Sequence, residues 1–412
     1  MQIIKDVDEG AFLDEAVNTC FSARKVPEAI KGLVYQIASG VVRQKIYLDW
    51  VLEKLIDREA KGDTRHLLLI SLYQIAFMKK AHYHVVKEAV EFAKKQKGAK
   101  VANFVNAVLR RFVREREQMT YPEDPVCRLS ISHSFPEWIV ERWRNRFGGK
   151  ETERLLTLLN EPPSFAVRIN LERISKEDVI RELKAQGIKP SPGKLLDSAL
   201  RVDKLGPVLV SRLFEEKLVS IQDETSQLVT SAAEPGKDDL VLDACAGLGT
   251  KTGQLMESSA GPVIVAMDND IRRLRLIPKK ANVVAGDALR VPFRKGLFDI
   301  IVADAPCSSL GIIRKHPEIK CRRKKEDVIR FGNYQLDLLK SLWDNLRQGG
   351  RMVYSVCSFE PEETVEVLTR FGKEREIILE RPFSFGANEG YYLSLPQETG
   401  MDGFFIARFR KA

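Results

Sequence analysis

The sequence predicts an all-α helical N-terminal domain, then a small α+β connecting subdomain, then an α/β doubly wound domain. Three observations carry this prediction. Apolar residues recur at helical spacing, with no convincing strand, through residue 116. Paired prolines, Pro162 and Pro163, then interrupt the chain. From about residue 236 buried strands alternate with helical segments. A length of 412 residues suits two or three domains. The expected divisions are a helical domain at 1–125, a linker with one amphipathic helix at 126–165, the small subdomain at 166–235 and the doubly wound domain at 236–412.

Each element follows from its pattern. Leu33, Val34, Ile37 and Val41 share one helix face, and Leu48, Val51, Leu52, Leu55 and Ile56 share another. The run HLLLISLYQIAFM is apolar nearly all round, which predicts the central helix of a bundle. The closing helix, VANFVNAVLRRFVRERE, is expected to bury Phe104, Val108, Leu109 and Phe112. YPEDP, an amphipathic SHSFPEWIVERWRNRF and NEPPS read as the linker. FAVRINL reads as a strand and KEDVIRELKAQ as a helix. DDLVLDA, PVIVAMD, ANVVAGD, LFDIIVAD and GRMVYSV read as strands of a mainly parallel sheet, with FFIARFRK as one added edge strand.

Composition narrows the function. The net charge is +9, from 66 Lys+Arg against 57 Asp+Glu. It is uneven: residues 79–116 hold 11 Lys+Arg and 3 Asp+Glu, a net of +8, and residues 314–330 hold 8 against 3. Such fields suit a phosphate backbone, although a basic stretch can equally be a solvated face. The apolar run Leu67–Met78 is too short for a bilayer span, which needs roughly 20 residues. The N-terminal MQIIKDVDEGAF has acids where a secretion signal carries basic residues, so a cytoplasmic protein without membrane association is expected. Six scattered cysteines contain no Cys-x-x-Cys pair and the five histidines form no cluster with them, so no metal site is expected.

The chemistry gathers at the strand ends. The first strand of the doubly wound domain runs into Asp243-Ala244-Cys245-Ala246-Gly247-Leu248-Gly249-Thr250-Lys251. Small residues let this turn approach a ligand closely. It is not a phosphate loop, because Thr250 separates Gly249 from Lys251, and Gly253 falls one place late for the dinucleotide fingerprint. Asp268, Asp287 and Asp304 close the next three strands. One such acid is often a helix cap; three on the ligand-binding edge suit a nucleoside-bearing cofactor, with Asp268 placed for a ribose diol. Cys307, in Asp304-Ala-Pro-Cys-Ser-Ser-Leu-Gly311, and Cys357, in Tyr354-Ser-Val-Cys-Ser358, follow neighbouring strands. That would bring both thiols and Asp304 into one cleft. Spacing does not choose which thiol attacks a substrate.

With these residues assembled, the chain resembles a known family. DAPCSSLG with YSVCS and DACAGLGTK is similar to the RNA cytosine-5 methyltransferases that use S-adenosylmethionine. The N-terminal domain, closing on FVNAVLRRF, resembles the NusB RNA-binding fold. With VRIN and IQDETSQLV in the connecting segment, essentially the whole chain resembles the bacterial RsmB (Sun) ribosomal RNA methyltransferases. It departs from them at Ala-Gly-Leu-Gly-Thr-Lys, where Ala-Ala-Pro-Gly-Gly-Lys is usual. Only 19 positions separate Asp268 from Asp287, implying a trimmed helix there.

The resemblance implies a Rossmann-like, class I methyltransferase domain and a defined chemistry. C5 of cytosine is a poor nucleophile until a thiolate adds to C6. By resemblance Cys357 attacks, Cys307 assists product release, and Asp304 hydrogen-bonds the cytosine edge and helps protonate N3. Residues 245–251, Asp268, Asp287 and Asp304 would line the S-adenosyl-L-methionine site. The implied partner is 16S ribosomal RNA before full subunit assembly, at the cytosine conventionally numbered 967. A monomer is expected. Other readings are a methyltransferase for transfer RNA or the large subunit, a nicotinamide-dependent dehydrogenase, and an RNA-binding factor with an inactive second half. The dehydrogenase gives the two cysteines no role, and the intact Asp304, Cys307 and Cys357 argue against inactivity.

Overall fold

The computed structural model of the chain describes residues 1–78, 80–277, 280–385 and 390–412. Two compact units emerge. One comprises Met1–Glu161 with Ile313–Arg323; the other comprises Pro162–Ile312 with Lys324–Ala412. Among the described residues no helix is long and apolar enough to cross a membrane.

The first unit is helical. Helix Gly62–Phe77 lies at its centre, burying Leu68, Leu69, Leu72 and Ile75 while Leu67, Ile70, Tyr73 and Ala76 pack around them. A β-carbon on Gly40 would fall 1.9 Å from the Tyr73 ring, so only glycine lets helix Glu28–Arg43 pass so close. Helix Ala99–Glu115 buries Ala102, Val105, Val108, Leu109 and Phe112. Phe104, expected on that stripe, is exposed, because Val105 holds the position that repeats every three to four residues. Leu33 is likewise exposed.

The stretch read as a linker is built into this unit as two helices. Asp124 caps Pro125–His133 by accepting the Cys127 N–H at 2.7 Å. Glu137–Asn160 bends at Gly148, whose φ is 78°. Its Trp143 is fully buried and lies against Phe135, ring centroids 5.9 Å apart. The compact helical unit runs on to Glu161, one residue before the paired prolines.

The second unit opens with a four-stranded antiparallel sheet. Its strands are β1 (Phe165–Ile169), β2 (Ser191–Pro192), β3 (Ala199–Val202) and β4 (Val219–Ile221), in the order β2-β3-β1-β4. Helix Lys176–Ala185 covers it with Val179 and Leu183, packed on Val167, Leu200 and Val219. The larger sheet contains β5 (Leu240–Asp243), β6 (Val263–Asp268), β7 (Asn282–Ala285), β8 (Phe298–Asp304), β9 (Leu346–Val356), β10 (Ile377–Glu380), β11 (Tyr391–Ser394) and β12 (Phe404–Lys411). The order is β10-β12-β9-β8-β5-β6-β7, with β11 also paired to β12. β5 to β9 are mutually parallel.

The closing strand departs from expectation. β12 is not an edge: it runs antiparallel to β9 on one side and to β10 and β11 on the other. β10 and β11 are short and irregular in sequence, and they give the buried Phe405, Ile406 and Phe409 of β12 a sheet interior to occupy. The strand order reverses between β5 and β8, which creates the crevice where doubly wound sheets bind ligands.

Candidate active site

The turn after β5 is held from both sides. The Ala244 N–H donates to the Val302 carbonyl and the Ala246 N–H to the Met267 carbonyl, each at 2.9 Å. Gly247 and Gly249 have φ of 54° and 79°, conformations that favour glycine. A β-carbon on Gly249 would meet Ile277 at 2.8 Å, whereas one on Gly247 would meet nothing within 4 Å. Gly247 therefore faces open space. Asp243 is fully buried: one carboxylate oxygen accepts from Thr252 Oγ1 at 2.7 Å, and the other has no partner among the described residues. Burial pushes its carboxyl up to about 6.

The strand-end acids stand along the same edge. The two Asp268 oxygens accept the Gly247 and Asp270 N–H groups at 2.9 and 2.8 Å. Asp287 accepts the Leu289 N–H at 2.9 Å. The short crossover after β6 contains the four-residue helix Ile271–Leu274. Burial raises the Cys245 thiol, and Asp243, Asp304, Asp268 and Asp287 raise it further, so this cysteine stays protonated.

Asp304 ends β8 in register with Ser355 of β9. Its oxygens accept from Lys251 Nζ at 2.5 Å and Ser355 Oγ at 2.7 Å. Burial works to lower the Lys251 pKa, but Asp304 outweighs it and the pKa ends above the ordinary value. The lysine of the turn thus serves Asp304 as a fixed cation. Cys307 and Cys357 sit directly beyond, with their sulfurs 3.1 Å apart. Ser309, in the left-handed region at φ 63°, places its hydroxyl 3.5 Å from the Cys357 sulfur and 3.8 Å from that of Cys307. The two thiols titrate as a pair: the hydrogen bond between them lowers the Cys357 thiol and raises that of Cys307.

The connecting-segment motifs act behind the turn. Arg168 donates to Gln222 at 2.6 Å and to Glu257 at 3.0 Å; Gln222 donates to Gln254 at 2.7 Å, and Gln254 to the Gln227 carbonyl at 3.1 Å. Gln254 lies on helix Thr250–Met256, so VRIN and IQDETSQLV brace the helix that follows the small-residue turn.

Nearly all the strand-end candidates therefore converge. Sequence reasoning missed the contacts of Lys251 with Asp304, and those of Ser355 and Ser309. Ser309 stood within the cysteine motif and Ser355 two places before Cys357, but a serine beside a cysteine carries no pattern of its own.

The two basic segments behave differently. Arg314 and Lys320, counted in the cluster after the cysteine loop, are buried in the helical unit rather than offered to RNA. Lys320 Nζ donates to the Arg43 carbonyl at 2.7 Å and to Asn160 at 3.0 Å, and lies 4.1 Å over the Phe135 ring. Arg43 in turn donates to the Arg314 carbonyl at 2.8 Å. In the 79–116 segment, Lys94, Lys95 and Lys100 are exposed and make no ion pair among the described residues, although Lys97 pairs with Asp63 at 3.0 Å. Lys79, also counted there, lies outside the described residues. Tyr83, Lys87 and Arg110 line a groove of about 580 Å³ on this unit.

Comparison with known proteins agrees with this fold. Residues 230–410 match the family described as 16S rRNA methyltransferase RsmB/F, residues 1–114 the NusB family, and residues 135–209 the ferredoxin-like domain of RsmF/B-like methyltransferases. The ribosomal RNA small subunit methyltransferase B of Pasteurella multocida is 33% identical, with 92% of this chain and 88% of that protein covered. The chain belongs to the RsmB family of ribosomal RNA methyltransferases. A probable small subunit methyltransferase B of Bacillus subtilis is 31% identical over 99% of this chain and 97% of its own length. Among solved structures, PH0851 has a TM-score of 0.85 at 23% identity, covering 100% of this chain and 97% of that one. NSun6 from Pyrococcus horikoshii, crystallised with SFG, has a TM-score of 0.61 at 22% identity, covering 68% and 99%. The helical N-terminal region and the Rossmann-like methyltransferase domain are those of the family. Among the described residues no cluster of His, Cys, Asp or Glu is arranged to hold a metal ion.

Proposed function

We propose that this protein methylates C5 of a cytosine in 16S ribosomal RNA, using S-adenosyl-L-methionine, through a covalent bond between Cys357 and C6. The single observation that carries the reading is the pair of sulfurs 3.1 Å apart, beside Asp304, at the crevice of the sheet. The names of the relatives support the small-subunit target, and the position numbered 967 follows from family likeness.

The turn fits the cofactor. Open space at Gly247, an unpartnered oxygen on buried Asp243, and lone pairs remaining on Asp268 suit a polar nucleoside with a charged amino-acid end. Residues 245–251, Asp268, Asp287 and Asp304 would hold it, the last through its network with Lys251. When bound, it supplies an electrophilic methyl group. An analogue of it, SFG, accompanies NSun6 in that protein's crystal.

The remaining work belongs to the protein. Cys357, its thiol lowered by Cys307, adds to C6, and the electron pair of the C5–C6 double bond shifts to make C5 nucleophilic. Asp304, fixed by Lys251 and Ser355, hydrogen-bonds the N3–N4 edge where charge changes during addition. After C5 is methylated, its proton passes to a base or to solvent water, the C5–H electron pair re-forms the double bond, and the sulfur–C6 pair leaves with Cys357 as thiolate. Cys307, within 3.1 Å, assists that release. A base inside an intact duplex would have to be extruded at a cost of a few kcal/mol, so a loop or bulge is the favoured target. The exposed cations of the helical unit would supply backbone affinity.

A denaturing gel with labelled RNA and cofactor tests the assignment. Cys357→Ala should abolish turnover and form no adduct. Cys307→Ala should transfer methyl but release slowly, accumulating a denaturant-resistant protein–RNA complex. An adduct with Cys357→Ala and none with Cys307→Ala would reverse the two roles.

A further inference from the structure

One buried carboxylate ties together the residues that follow both cysteines. Glu363 is fully buried on the turn Pro361–Glu363. Its Oε1 accepts from the Ser308 N–H at 2.6 Å and from Gln335 Nε2 at 3.2 Å. Its Oε2 accepts from Ser358 Oγ at 2.6 Å and from the Ser308 hydroxyl. Ser308 and Ser358 are the next residues after Cys307 and Cys357. Gln335 also donates to the Pro306 carbonyl at 2.9 Å, and Tyr354 Oη donates to the Glu363 carbonyl at 2.6 Å while lying 3.0 Å from Gln335 Oε1. Beyond the cysteines the two loops touch again: the Gly311 N–H donates to the Cys357 carbonyl at 3.1 Å, where a β-carbon on Gly311 would fall 2.9 Å from that oxygen.

We propose that Glu363 is a positioning residue that holds the two cysteine loops at the separation needed for one thiol to hydrogen-bond the other. This rests on the reading of Cys357 and Cys307 as the working pair. A carboxylate is the side chain the place requires. It is acceptor-only, and four donors from three residues occupy its two oxygens. An amide would keep one acceptor and turn the other into a donor, so the Ser308 and Ser358 hydroxyls, which now donate, would have to reverse and lose their bonds to a carboxylate. Burial raises the Glu363 carboxyl, and the hydrogen bonds from Ser308 and Ser358 oppose that rise. An ionised Glu363 therefore depends on keeping both loops in place, which makes the arrangement mutually reinforcing. The groups that act directly on the Cys357 thiol are Cys307 and Ser309 from the loop after β8, Asp304 at the end of β8, and Lys251 from the helix after β5. Cys307 has the largest effect, and it is the one whose distance Glu363 controls.

The test reads the ionisation of Cys357 in the full-length protein. Iodoacetamide labelling is followed from pH 6 to 10, and the alkylated Cys357 peptide is quantified by mass spectrometry. The wild-type midpoint should lie below that of an ordinary thiol. Glu363→Gln should raise it by about one pH unit, a tenfold loss of thiolate at neutral pH. Cys307→Ala should raise it in the same direction, and the double variant should go no further, because both act through one hydrogen bond. An unmoved midpoint in folded Glu363→Gln, or additive shifts in the double variant, would overturn the proposal. If Glu363→Gln does not fold, Ser358→Ala removes a single donor; its midpoint should also rise, and a fixed value overturns the idea. Methyl transfer by Cys357→Ala would refute the catalytic reading without altering the labelling result, so the two failures are distinguishable.

Discussion

Each unit of the molecule draws a lysine largely out of solvent, and the two are held in opposite ways. Lys251, in the catalytic unit, faces the Asp304 carboxylate and keeps its charge more firmly than a free lysine. Lys320, in the helical unit, is surrounded by neutral oxygens and an aromatic ring, with Arg43 nearby, and its pKa falls well below the ordinary value. Burial is the first cause acting on both; only a counter-charge reverses it. A lysine paired with a carboxylate remains a usable charge beside a reacting base. One held by carbonyl and amide oxygens pins helices and loop together, and it carries the penalty of burying a charge without a carboxylate partner.

The largest consequence should follow from breaking the Lys251–Asp304 pair. Lys251→Met leaves Asp304 without its cation, and loss of a charged hydrogen bond predicts a roughly 10–100-fold fall in methyl transfer. Single-turnover assays check this; a rate within twofold of wild type would show that Asp304 needs no fixed cation.

Asp243 offers the next effect, on stability. Its carboxyl titrates near 6 in the folded chain against an ordinary value of 3.8. Between those values unfolding releases a proton, so its contribution weakens as pH rises and stays weak above 6. Asp243→Asn, which can still accept from Thr252, should remove that decline. The variant should gain on the order of 2–3 kcal/mol relative to wild type between pH 4 and pH 8. Urea unfolding of the catalytic unit at both pH values measures it, and parallel curves would refute the burial argument.

Lys320 should show the opposite sign. Its folded pKa is depressed, so above that pKa the unfolded chain binds the extra proton and stability rises with pH toward 10.5. Lys320→Met should abolish this rise. Hydrogen exchange of Glu137–Asn160 at pH 7 and 9, corrected for intrinsic rates, reports it. A rise that persists in the variant would place its origin elsewhere.

The smallest effect concerns surface charge. Replacing Lys94, Lys95 and Lys100 with alanine should reduce the slope of log affinity for single-stranded RNA against log salt by roughly 2, without changing the fold. An unchanged slope would mean that these cations are only a solvated face.

The candidate site was legible where the proposed chemistry needs rare residues at set places. Cys307, Cys357 and the acids at strand ends announced themselves because a doubly wound sheet presents its strand ends on one edge. The residues that hold these groups from behind were not legible. Glu363 lies six residues beyond Cys357 and reads as one acid among several in EPEET. Lys320 sits in a run of exposed-looking cations, where composition cannot tell a buried ammonium from a solvated one.

Local pattern therefore determined the helices, the parallel strands and the edge on which the reactive groups stand, because side-chain periodicity and strand direction are properties of short segments. Tertiary structure decided the rest. It carried Ile313–Arg323 into the helical unit, placed β12 inside the sheet, turned Lys251 toward Asp304 and joined two cysteine loops through Glu363. Those outcomes depend on which distant groups share a buried volume, where an unpaired charge or donor is costly and must find its partner across the fold.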